Sequence, residues 1–106
     1  MIMCNCIVQA GQISAETEAA LRAGLSDFTQ RRFGAPAEIN WLSVPENSGF
    51  TAAEPSTSSI ISMLANAPVA QAEREALLRE LCGIWTKETD CSLDEVVGVI
   101  SDPITE

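Results

Sequence analysis

The chain has 106 residues, 46% of them hydrophobic, with six basic and fifteen acidic residues and a net charge of −9. That size suits one small domain with a modest core, for which an oligomer is the natural expectation; the composition excludes disorder, and no apolar run reaches the roughly 18–20 residues that span a bilayer. The charge argues against nucleic acid and anionic membranes, and the lack of His and Tyr removes the usual neutral-pH acid–base groups.

Met1 to Gln9 is apolar apart from Asn5 and Gln9. Ile2, Cys4, Cys6 and Val8 fall on one face and Met1, Met3 and Ile7 on the other, the pattern of a strand buried on both faces. Gly11-Gln12 turns the chain. Ser14 is a good N-cap, and Glu16 and Glu18 suit the positive end of a helix. The first helix runs to about Arg32, with Leu21, Leu25 and Phe28 as its inward stripe. Gly34 and Pro36 stop it. Glu38 to Val44 is a second strand, with Ile39 and Trp41 on one side and Leu42 and Val44 on the other. Pro45 to Ser58 is expected to be a long polar connection. The pattern then restarts. Ser59 to Leu64 is a strand, about Val69 to Lys87 a helix with Leu78, Cys82 and Trp85 inward, and Glu95 to Ser101 a last strand. A short tail, Asp102 to Glu106, follows.

The two halves repeat each other. Residues 15–22 match residues 72–79 at six of eight positions, an offset of 57. The same offset carries Leu21, Leu25 and Phe28 onto Leu78, Cys82 and Trp85, and Glu38 onto Glu95. The predicted fold is therefore α/β (α+β): two βαβ units in one domain over 1–106, with pseudo-repeats 1–45 and 59–102 joined by a linker at 46–58. Helix-length crossovers make the strands within each unit parallel. Two helices cover one face of a four-stranded sheet. The other face is also apolar and lacks a cover within the chain, which predicts a homo-oligomer, a trimer being expected.

Cys4, Cys6, Cys82 and Cys91 read as small buried hydrophobes in a reducing compartment. Cys4 and Cys6 share a strand face but form no Cys-x-x-Cys motif, and without His there is no metal-ligand set. No cofactor or metal is expected. The segment Met1 to Ala10 has no Lys or Arg, unlike a secretory signal, so a cytoplasmic protein is expected.

A duplicated βαβ unit with Gly-x-x-Ser between first strand and first helix resembles the tautomerase superfamily, over Ile2 to about Asp102. Phe33-Gly34-Ala35-Pro36-Ala37-Glu38 and Ser92-Leu93-Asp94-Glu95-Val96 look like the loops entering its post-helix strands. The fused form is most similar to the branch of malonate semialdehyde decarboxylase and cis-3-chloroacrylic acid dehalogenase. The resemblance implies a trimer and chemistry run by an N-terminal proline amine. The register through Gly11 places Ile2 at that position, and this chain has no proline before Pro36. The branch's carboxylate-binding arginines follow the third strand, where this chain has Leu64-Ala65-Asn66-Ala67-Pro68-Val69. The arginine of simpler members is Gln12 here.

The candidate catalytic positions are thus Met1, through an α-amine working as a base near neutral pH, and Ile2, at the proline's place. Candidate substrate-binding residues are Arg31 and Arg32, able to pair with a carboxylate, with Glu38 and Trp41. Glu38 and Glu95 would form a carboxylate pair, and Trp41 and Trp85 core or pocket walls. Three functions are open. The first is a diverged tautomerase-like protein on a small carbonyl or keto/enol acid without the proline mechanism. The second is a non-enzymatic small-molecule-binding or assembly protein, and the third a ferredoxin-like dimeric α/β protein. An open cleft with Arg31 or Arg32 converging on it would favour the first.

Overall fold

The structure is a computed structural model that describes residues 1–51, 53–89, 91–92 and 95–103. Leu93 and Asp94 of the predicted last loop and most of the tail lie outside the described residues. The elements are β1 (Ile2–Gln9), α1 (Ala15–Phe33), β2 (Ala37–Val44), β3 (Phe50–Thr51), β4 (Glu54–Pro55), β5 (Ser59–Leu64), α2 (Gln71–Thr89) and β6 (Val96–Ser101). Among the described residues no helix is long and apolar enough to cross a membrane.

Local chemistry sets the ends of α1. The Ser14 hydroxyl accepts from the Thr17 amide at 3.2 Å, satisfying one of the helix's open N–H groups. Gly34 closes the other end in the left-handed conformation (φ 68°), its N–H donating to Gln30 O.

The main sheet has the order β2-β1-β5-β6. β1 runs parallel to β2 and β5 parallel to β6, so each crossover unit forms as predicted. The central pair, β1 and β5, is antiparallel. This overturns the ferredoxin-like reading: the first strand does adjoin the third main strand, but each helix joins strands that are themselves parallel neighbours. The two halves face each other head to tail across the β1–β5 seam. The predicted polar connection also contains a feature the sequence pattern hid, since β3 and β4 pair as a small antiparallel hairpin carrying an exposed Phe50.

Both helices cover one face. Ile2, Cys4, Cys6 and Val8 alternate inward from β1 to meet Leu21, Leu25 and Phe28 of α1. From the second half, Ile61, Met63, Val96 and Ile100 meet Leu77, Leu81 and Trp85 of α2. The predicted inward stripe Leu78, Cys82, Trp85 is corrected here. Leu77 and Leu81 are buried, while Leu78 and Cys82 are only half-buried and cover Gly98 of β6. The helix bounds differ by 56 (Ala15 and Gln71, Phe33 and Thr89), and the same offset carries the buried Leu21 and Leu25 onto the buried Leu77 and Leu81, one residue away from the identities in the sequence. One residue turns a helix by about 100°, enough to exchange which leucine faces the core. The helices approach closely at Gly24, where an added Cβ would stand 3.1 Å from Ile84.

Among the described residues nothing covers the opposite face of the sheet, which is bare in that sense. Met3, Leu42, Ile60, Val97 and Val99 lie on it, between 38% (Ile60) and 54% (Leu42) exposed.

Candidate functional site

Parallel strands end together, so β1 and β2 deliver Gln9 and Val44 to the same end of the sheet. There the chain builds a polar cluster around Gln9, which is 5% exposed. Gln9 Nε2 donates to Ser56 O at 2.7 Å and Gln9 Oε1 accepts from the Asn47 amide at 3.0 Å. Both ends of a buried amide are thereby satisfied. Gln12 adds a second link: its Oε1 accepts from Gln9 N at 3.2 Å and its Nε2 donates to Thr57 O. Asn47 holds a left-handed backbone (φ 67°), which its short polar side chain tolerates. These bonds pin the β3–β4 hairpin to the end of β1.

A cavity of about 250 Å³ opens beside this cluster, lined by Gln9, Gly11, Gln12, Glu46, Asn47 and Thr57 among others. Among the described residues no basic side chain lines it. Amides, a hydroxyl and one carboxylate offer hydrogen bonds to a polar molecule. At the edge of the cluster the Thr57 hydroxyl donates to Glu95, and the Ser92 amide and hydroxyl donate to its other oxygen at 3.1 Å. The bond from Thr57 and then those from Ser92 hold the Glu95 carboxyl below its ordinary value.

A second hollow, about 440 Å³, lies on the bare face of the sheet between β1 and β2. Asn5, Ile7, Asn40 and Leu42 shape it, and Asn40 Nδ2 donates to Asn5 Oδ1 at 3.0 Å across the strands.

The residues singled out from the sequence are scattered. Met1 is 74% exposed at the far end of β1 from Gln9. Ile2 is fully buried, and its backbone N donates to Pro36 O at 2.9 Å. Arg31 pairs with Asp27 and Glu80, each at 2.8 Å, and Arg32 Nε meets Glu80 at 2.9 Å. The pairs with Glu80 tie α1 to α2, whereas Arg31–Asp27 lies within α1, and neither arginine lines either cavity. Glu38 is exposed on the bare face, opposite Met3. Trp41 points the other way, into the helix layer, where it stacks on Trp85 at 5.8 Å with Arg22 5.6 Å from its ring centroid. The expected Glu38–Glu95 pair is corrected. Because the halves run head to tail, the starts of β2 and β6 fall at opposite ends of the sheet.

Cys4 and Cys6 share the inward face with Sγ atoms 3.9 Å apart, both fully buried. The shared hydrogen bond and burial push the Cys6 thiol far above the ordinary range, away from thiolate chemistry. Cys82 is raised by burial and then by its neighbour Cys91. Among the described residues no three His, Cys, Asp or Glu side chains gather into a metal site.

Sequence reasoning passed over Gln9, Asn47, Thr57, Asn5 and Asn40 as site residues. Asn5 and Gln9 did carry a signal, as the two polar interruptions of an otherwise apolar strand.

The chain matches no protein-family model and no curated protein sequence. Solved structures do match it. The native protein Ps01740 superposes with a TM-score of 0.85 at 25% identity, covering 95% of this chain and 93% of that one. A fused 4-OT described as a wild-type symmetric trimer gives 0.83 at 18% identity, covering 95% and 85%. N1, a member of the cis-3-chloroacrylic acid dehalogenase family, gives 0.82 at 16% identity, covering 98% and 79%.

Proposed function

We propose that this chain, which has the fold of the tautomerase superfamily, is a diverged, self-assembling member that binds a small polar, carbonyl-bearing molecule and does not run the proline-based reaction. The observation that carries this is the state of Ile2. Its nitrogen is an amide committed to Pro36 O, and its side chain fills the core. Whether bonded or free, an isoleucine nitrogen is not the ring secondary amine of an N-terminal proline, and here its N–H is committed to Pro36 O while the side chain is held in the core. The ion pairs of Arg31 and Arg32 with Glu80 support the same reading, because they occupy the guanidinium groups that would otherwise hold a substrate carboxylate.

Self-assembly into a trimer is the expected cover for the bare sheet face. It is supported by the exposed apolar side chains there and by the fused 4-OT structures, described as symmetric and asymmetric trimers. Sedimentation velocity and a phenylpyruvate ketonisation assay test the proposal together. The expected result is a trimer with turnover at the buffer rate. A monomer, or wild-type turnover well above the buffer rate, would overturn it.

A second reading is favoured by one residue. Among the described residues Glu46 is the ionisable side chain lining the 250 Å³ cavity, and a carboxylate beside amide donors is a general-base arrangement for proton transfer next to a carbonyl. On that reading the chain is a tautomerase-like isomerase with a different base. Turnover that is lost in Glu46→Gln would select it.

A further inference from the structure

The bare face of the sheet has an internal order that bears on how it is covered. Strand register lays parallel rows across it. One row, Leu42, Ile7, Ile60 and Val97, is wholly apolar. The next row is Asn40, Asn5, Ser62 and Val99, so three adjacent strands present polar side chains through the middle of an apolar surface. A third row runs through Glu38, Met3, Leu64 and Ser101. Among these three rows Glu38 alone is ionisable.

The occupant of this face is taken to be a second copy of the chain, and the inference rests on the self-assembly reading above. Charge points to that occupant. At −9, two copies repel one another over most of their surfaces, and this nearly uncharged face is where they can approach without juxtaposing carboxylates.

We propose that the Asn40–Asn5–Ser62 row fixes the register of that self-contact. Asn40 Nδ2 and Asn5 Oδ1 satisfy each other at 3.0 Å. Among the described residues the Asn5 amide nitrogen and the Asn40 carbonyl oxygen have no partner within the chain, and because both residues are exposed in the protomer these groups are open to solvent water. Under a second copy that water is expelled, and an unmatched amide group is then penalised. Only alignments that set an acceptor over Asn5 and a donor over Asn40 avoid the penalty. The apolar rows on their own would accept several alignments, since apolar contact is non-directional. The row thus trades some affinity for a single geometry, as a buried asparagine does at the seam of a coiled coil. The 440 Å³ hollow over the amide pair gives the partner's side chains room to reach it.

Sedimentation velocity and native mass spectrometry on the full chain provide the test, using wild type, Asn40→Val, the double variant Asn5→Val/Asn40→Val, and Leu42→Asp. Asn5, Asn40 and Leu42 are exposed in the protomer, so far-ultraviolet circular dichroism should confirm folding in each. Wild type is expected to form one discrete oligomer. Asn40→Val, which strands Asn5, is expected to raise the dissociation constant roughly tenfold. The double variant should associate at least as tightly as wild type but distribute over more than one oligomeric species. Leu42→Asp should be monomeric. A monomeric wild type would defeat the self-assembly reading itself. A single unchanged oligomer in the double variant, with wild type oligomeric, would overturn the register proposal and leave self-assembly standing.

Discussion

Trp41 of β2 and Trp85 of α2 stack at 5.8 Å between centroids with 23° between ring planes. One ring belongs to each half of the chain, so this contact locks α2 of the second βαβ unit onto β2 of the first. Trp85 is almost wholly buried, whereas Trp41 is half-buried and has the Arg22 guanidinium near its ring.

Trp85→Ala should therefore be among the most damaging single substitutions. Loss of a buried indole typically costs about 3–5 kcal/mol, and here the stacking partner is lost as well. Urea denaturation followed by circular dichroism would measure it. A loss below about 1 kcal/mol would show that the rings do not couple the halves.

The offset between the two helices predicts a contrast within α2. Leu81→Ala should destabilise by roughly 2–5 kcal/mol, as for a core leucine. Leu78→Ala, at the position that the sequence repeat marks as inward, should cost distinctly less because Leu78 is only half-buried. Parallel urea titrations of the two variants decide it, and the reverse ranking would restore the offset of 57.

Gly49 has no room for a side chain. A Cβ there would stand 2.4 Å from Gln9 Nε2 and 2.8 Å from Ser56 O, on either side of their hydrogen bond. Gly49→Ala should break that bond and leave a buried amide unsatisfied, at a cost of about 1–3 kcal/mol. Thermal unfolding gives the size, and faster hydrogen exchange at Asn47 and Ser56 would locate the damage at the cavity.

Acid should weaken the fold through three depressed carboxyls. Asp102 accepts from the Val69 amide and then from Arg74, and Glu95 from Thr57 and Ser92. For Glu80 burial acts upward, but the bonds from Arg32 and Arg31 outweigh it. Each folded-state value lies below its unfolded one, so the stabilisation is complete above the unfolded values near pH 4 and is lost as pH falls through the folded ones. Urea midpoints measured from pH 7 to pH 2 should stay level above about pH 5 and fall below about pH 4. In Asp102→Asn the acid limb should be shallower than in wild type, and an identical limb would remove Asp102 from the account.

The strands and helices were legible because each carries its own punctuation. Ser14 and Gly34 bracket α1, Pro45 follows β2, and the alternation of Ile2, Cys4, Cys6 and Val8 marks a strand face. The β3–β4 hairpin was not legible, because two-residue strands are too short for any period to register. Nor was the cluster around Gln9. Its partners, Asn47, Ser56 and Thr57, lie far along the chain and contribute mostly backbone groups, which leave no mark on residue identity.

The sequence by itself determined the two βαβ units, their parallel pairing, the amphipathic helices and the absence of a proline at the start of the first strand. Those features depend on local period, capping chemistry and residue identity. Tertiary structure alone decided three others. The halves meet head to tail, which parts Glu38 from Glu95. Arg31 and Arg32 are spent on Glu80. Leu77 and Leu81, with Trp85, face the core. Each depends on which surfaces win the competition for burial and for the few available charges, a global balance that no local stretch of the chain encodes.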